Sequence, residues 1–214
     1  MQRPIVVGYH LTWTAYGLWL PNDPRGGMSQ TIACDVIAEP GGLHYGRKTV
    51  QPAGWVLREF HERAREVLKF PVLTFGRREM DVIGQAFAAT MAAEKYTCYA
   101  CAVMPDHVHI VIRKHKHRAE EMIETLQDSS RLRLRNAGLR DADHPVWGGP
   151  GWKVFLDHPD EIRGTIRYVE ENPVKWHLAR QSWAFATGYD GWPLHPGHSP
   201  NSPYARRLRE YHRQ

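Results

Sequence analysis

The chain has 214 residues, 42% hydrophobic and 24% charged, the balance of a folded soluble domain rather than a disordered or fibrous chain. Its longest apolar stretches are strand length, far short of the roughly 18 residues of a membrane span. The N-terminus MQRPIVVGYHLTW lacks the apolar core and cleavage site of a secretory signal, so a cytosolic protein is expected. Lys and Arg number 28 against 23 Asp and Glu, giving +5 and a pI near 9.2, which suits a polyanionic partner without demanding one.

Ile5 to Tyr16 has strand composition and runs into the turn residues of LPNDPRGGM. From about Gly17 to Gly76 periodicity lapses, apart from a short helix in WVLREFHERAREVLKF with Val56, Phe60, Ala64, Val67 and Leu68 at helical spacing. This stretch reads as an insertion. In EMDVIGQAFAATMAAEK, the positions Met80, Ile83, Phe87 and Met91 predict an amphipathic helix. YTCYACAVM and HVHIVIRK then predict antiparallel strands joined at Pro105-Asp106. A helix follows from near Arg118, with Met122, Ile123 and Leu126 inward and Gly138 as its stop. A short strand is expected at Trp152 to Leu156.

DHPDE opens the last clear helix: Asp157 or His158 is the N-cap, Pro159 suits the first turn, and Asn172-Pro173 ends or kinks it. Ile162, Ile166 and Val169 share one face, and Thr165, Tyr168 and Asn172 form the stripe beside it. Residues 184–214 read as an irregular basic tail behind a single domain, 1–183, that carries the insertion at about 17–76. The element order predicts an α+β fold of the ferredoxin-like, split βαβ kind. Its antiparallel sheet has helices on one face, plus an extra C-terminal helix bearing Tyr168.

Three cysteines cannot form a disulfide framework. Cys98 and Cys101 have CxxC spacing, but a strand would point them to opposite faces and no second CxxC exists, so they read as buried thiols.

The chemistry centres on MPDHVHIV. Positions two apart on a strand share a face, so His107 and His109 bring two imidazoles together, the start of a divalent metal site that needs oxygen ligands to suit Mg²⁺ or Mn²⁺. Asp106 is either a carboxylate orienting a histidine or a turn residue after Pro105, and the turn is preferred. Trp147, Trp152, Trp176 and Trp183 are base-stacking candidates but more often core. His115 and His117 repeat the spacing among cations and fit a basic surface better than a metal site. Arg113, Lys114 and Lys116 follow the histidine strand, Arg131, Arg133 and Arg135 cluster beyond it, and Lys175 follows Tyr168; these are the candidate DNA contacts.

PDHVHIVI on a central strand, followed by a helix with YVEENPVKW, resembles the single-tyrosine HUH transposases (His, hydrophobic residue, His), and within them the branch associated with repetitive extragenic palindromes, the REP-associated branch. The likeness spans about Met80 to Trp183 and the first strand, HLTWTAYG. It implies a Tyr168 nucleophile, metal ligands His107, His109 and Asn172, and a Mg²⁺ or Mn²⁺ cofactor; by its chemistry, a donor set of two histidines and an amide would also accept Mn²⁺, Co²⁺ or Zn²⁺. It further implies nicking and rejoining of single-stranded or hairpin DNA through a 5′-phosphotyrosine, by a monomer or homodimer in the prokaryotic cytoplasm at the nucleoid. The alternative is a domesticated, non-catalytic nucleic-acid-binding protein of the same fold. A histidine-triad hydrolase would need a third alternating histidine, and position 111 is Val.

Overall fold

Tyr9, Leu11 and Trp13 alternate with His10, Thr12 and Thr14 along the first strand, and this alternation divides the molecule. In the computed structural model, which describes residues 5–20, 22–26, 50 and 52–211, that strand is β1 (Gly8–Thr14). After it come α1 (Gly54–Val67), α2 (Arg77–Glu94), β2 (Cys98–Val103), β3 (His107–Arg113), α3 (Ala119–Asn136), β4 (Trp152–Leu156), α4 (Pro159–Lys175) and α5 (Pro203–Tyr211). The sheet order is β2-β3-β1-β4 with every neighbouring pair antiparallel, so β3 slots between the strands that α2 connects. This is the expected split βαβ arrangement. Cys34 and residues 27–49 of the insertion lie outside the described residues. Among the described residues, no helix is long and apolar enough to cross a membrane.

One face of the sheet carries Tyr9, Leu11, Trp13, Val108, Ile110 and Ile112, packed with Ile83 and Phe87 of α2 and Met122 and Leu126 of α3. The other carries Tyr99, Ala102, Val111 and Leu156, packed with Ile162 and Val169 of α4. The extra helix thus covers the face opposite to α2 and α3. Ile162 and Val169 are fully buried and two turns apart. Burying both stabilises the docking of α4 by roughly 3–6 kcal/mol.

Three expectations change. Cys98 and Cys101 share the α2/α3 core, because a register shift between Cys98 and Ala100 inserts a residue and reverses the alternation. Both thiols are buried, and burial pushes both of them up. α4 does not stop at Asn172-Pro173. It runs to Lys175, because Pro173 lies in the last turn and forfeits only one helical hydrogen bond. Its start is as expected: the N-cap His158 accepts from the Asp160 amide through Nδ1 (3.0 Å). The tail is also not wholly irregular, since α5 buries Ala205 and Leu208, and Leu208 joins Trp192 in the second core.

Gly84, in the middle of α2, lies under the Trp183 ring, and a Cβ there would come within 2.0 Å of it. Alanine would gain about 1 kcal/mol of helix propensity, but displacing a packed indole costs roughly 1–3 kcal/mol. Gly84→Ala is therefore expected to lower Tm by a few degrees in a thermal melt. An unchanged or raised Tm would show that Trp183 moves aside freely.

Candidate active site

The β1–β3 register pairs Thr14 with His107, Thr12 with His109 and His10 with Val111, which sets His10 on the same face as the two motif histidines. The rings of His107 and His109 stand 4.7 Å apart with planes at 84°. His107 Nδ1–H donates to Asp106 Oδ1 at 2.6 Å. Asp106 sits in the turn between β2 and β3, as preferred from sequence, and from there its carboxylate also orients His107. His109 Nδ1 is 3.0 Å from His10 Nε2.

Burial, with smaller contributions from His107 and His10, holds His109 down at about 2, and burial holds His10 down at about 4, so both rings are neutral near pH 7. In the tautomer where His109 Nδ1–H donates to His10, each motif histidine has Nδ1 engaged and Nε2 free. Metal-binding histidines are held in the same manner, by a partner on the remote nitrogen.

α4 crosses above this row. The Tyr168 ring lies 5.3 Å from His109 and 6.0 Å from His10, while Trp176, capping the helix, lies 6.1 Å from His107. The helix therefore runs against the direction of β3, and Asn172 stands midway on its stripe, between Tyr168 and Trp176. Asn172 is buried, and its Oδ1 has no hydrogen-bond partner among the described residues. Leaving such an oxygen unmet costs about 1–3 kcal/mol. The free donors here are thus two imidazole nitrogens and one orphaned amide oxygen, a set that fits a divalent ion completed by further oxygens. Among the described residues no three His, Cys, Asp or Glu side chains form a metal cage.

Tyr168 is 43% exposed, so its hydroxyl is open to a large substrate. Lys175 Nζ sits 5.3 Å from the centre of its ring and also pairs with Glu171. Lys175 is the one predicted DNA contact that stands at the site. Arg113, at the far end of β3, faces Asp190 and the Trp192 ring. Lys114 donates to the Tyr9 hydroxyl, and Lys116 is exposed beyond the strand. Arg131 pairs with Asp128 and Arg133 with Gln85, while Arg135 is half-buried, all three on α3 across the sheet. Of the tryptophans, Trp147 and Trp183 pack against the core, Trp152 lines the cavity beside the site, and Trp176 is exposed.

That cavity, of about 830 Å³, runs from Tyr168, His107 and His109 to Trp19, Arg25 and the α1 residues Arg58, His61 and Arg65. Gly148 to Trp152 form its side wall.

No protein-family model and no curated protein matches the chain. Among solved structures it is similar to a REP-associated tyrosine transposase bound to a REP hairpin, with 11% identity, 86% of this chain and 79% of that one covered, and a TM-score of 0.45. It is also similar to a Deinococcus radiodurans R1 protein provisionally named a transposase, with 14% identity, coverage of 80% and 94%, and a TM-score of 0.34. The functional reading therefore rests on the residues of the site.

Three residues at or beside the site were not singled out from sequence. His10 had a visible signal in the polar face His10, Thr12, Thr14 of β1, once that strand is paired with β3. Arg58 and Arg65 had none, because nothing local shows which way α1 faces.

Proposed function

We propose that the protein is a transposase-like enzyme that nicks and rejoins single-stranded or hairpin DNA through a 5′-phosphotyrosine at Tyr168. The observation that carries this reading is the stripe of α4: an exposed tyrosine beside His109 and, one turn on, a buried amide oxygen with no partner. A tyrosine nucleophile preserves the phosphodiester energy, so strand joining needs no nucleotide cofactor.

Tyr168 Oη attacks the phosphorus. The Oη–P bond forms, the P–O3′ bond breaks, the phenolic proton is lost to water, and the 3′ oxygen takes a proton and leaves as a hydroxyl. The reverse attack by a 3′-hydroxyl restores a phosphodiester and frees the tyrosine. A divalent ion held by Nε2 of His107 and His109 and Oδ1 of Asn172 would neutralise phosphate charge and make the phosphorus more electrophilic. Asp106 and His10 fix the two imidazole orientations. Lys175 places a positive charge beside the nucleophile, where it attracts the phosphate. An entry walled by the insertion, with a buried histidine floor, favours a strand that enters singly.

The direct test incubates wild-type protein with Mg²⁺ or Mn²⁺ and a panel of hairpins drawn from palindromes flanking its gene. Denaturing electrophoresis should show a protein band shifted by the attached 5′ fragment. Absence of any adduct across the panel favours the non-catalytic binding protein.

A further inference from the structure

We propose that the described residues of the insertion, Trp19 to Leu20 and Arg25 to Gly26 together with α1, form a guide groove for the single-stranded DNA leading away from the cut site, with Arg58 and Arg65 of α1 as its phosphate contacts. The inference rests on the function proposed above. Both arginines line the cavity that begins at Tyr168 and the histidine pair. They are seven residues apart, two helical turns or about 10 Å, so they meet a strand at separate points along its length. Both are exposed, and neither forms an ion pair among the described residues. By contrast, Arg25 is spent on structure: its guanidinium binds both oxygens of the fully buried Asp23 (2.8 and 2.6 Å) and lies 4.0 Å over the Trp19 ring. It fixes Trp19 in the groove wall, and α1 is anchored by Phe60 and Ala64, buried with Leu20.

Gly148, Gly149 and Gly151 also line the cavity, with Pro150 the one side chain larger than hydrogen in that stretch. A Cβ on Gly151 (φ +74°) would come within 2.9 Å of the Thr12 carbonyl, and one on Gly148 within 2.8 Å of the Ala15 carbonyl, so glycine is required at both. Arg58 and Arg65 on one wall, with Glu62 between them, the glycine-rich Gly148–Gly151 stretch and Trp19, Trp152 and Trp176 along the way combine what an unpaired strand needs: charge for the phosphates and aromatic faces for the bases. Continuity with Tyr168 commits the occupant to the strand being cut.

The test measures fluorescence anisotropy of wild-type protein and the Arg58→Ala/Arg65→Ala double variant with one labelled hairpin, bare or carrying a thymidine extension on either side. Wild type should bind an extended hairpin more tightly than the bare one. The double variant should lose about tenfold of that gain, show a salt dependence shallower by roughly 1–2 charges, and bind the bare hairpin unchanged. Glu66→Ala, exposed on α1 outside the groove, serves as the folding and charge control and should behave as wild type. The groove is overturned if no extension improves wild-type binding, or if the double variant keeps the gain. If extension binding depends on Arg58 and Arg65 while wild type forms no covalent adduct, the groove stands and the nicking reading falls.

Discussion

Tyr168→Phe is expected to abolish the covalent DNA adduct while leaving the fold and DNA affinity essentially unchanged. The substitution removes a single oxygen that makes no hydrogen bond among the described residues, and the ring keeps its contacts with His10 and His109. Loss of stability should stay within about 0.5 kcal/mol, as for an ordinary surface change. Affinity is carried mainly by cations on phosphates, and the one beside Tyr168, Lys175, keeps the aromatic ring it lies against. A Phe variant that still shifts on a denaturing gel would move the nucleophile to another of the nine tyrosines.

The second large effect separates a ligand from its support. His109→Ala should eliminate cleavage and reduce Mn²⁺ binding, read by calorimetry or electron paramagnetic resonance, below detection. His10→Ala should keep the ligand but free its ring to rotate, weakening Mn²⁺ affinity by about 10–100-fold. His10→Gln, whose amide can still accept from His109 Nδ1, should recover part of that loss. Hairpin binding should survive in all three variants. Equal Mn²⁺ affinity for His10→Ala and wild type would reduce His10 to core filling, and loss of hairpin binding in His109→Ala would make that histidine structural.

The sheet and its order were legible because alternation and turn chemistry are local: Pro105-Asp106 joins β2 to β3, and Trp152 to Leu156 forms β4 with the bounds its composition suggests. Tyr168 and Asn172 could be placed on one stripe from helical spacing alone. The misjudged features depend on contacts across the chain. The bulge that reunites Cys98 and Cys101 is a matter of pairing with β3, and the persistence of α4 past Pro173 depends on burial of Asn172 and Pro173. Asp106 is the turn residue its place after Pro105 suggests, whereas its contact with the His107 ring depends on side-chain orientation that sequence does not show. Spacing was a poor guide to the cations as well: proximity in sequence to the histidine strand put Arg113 and Lys114 at its distant end, whereas Arg58 and Arg65, far away in sequence, share the cavity of the site.

The seating of α4 bears on how the proposed reaction would turn over. Tyr168 and Asn172 ride on one continuous helix pinned by Ile162 and Val169, so a 5′ end joined to Tyr168 would stay one helical turn from Asn172. The partner strand would then have to come to the helix, and the 3′-hydroxyl that arrived first would decide whether a nick is resealed or exchanged.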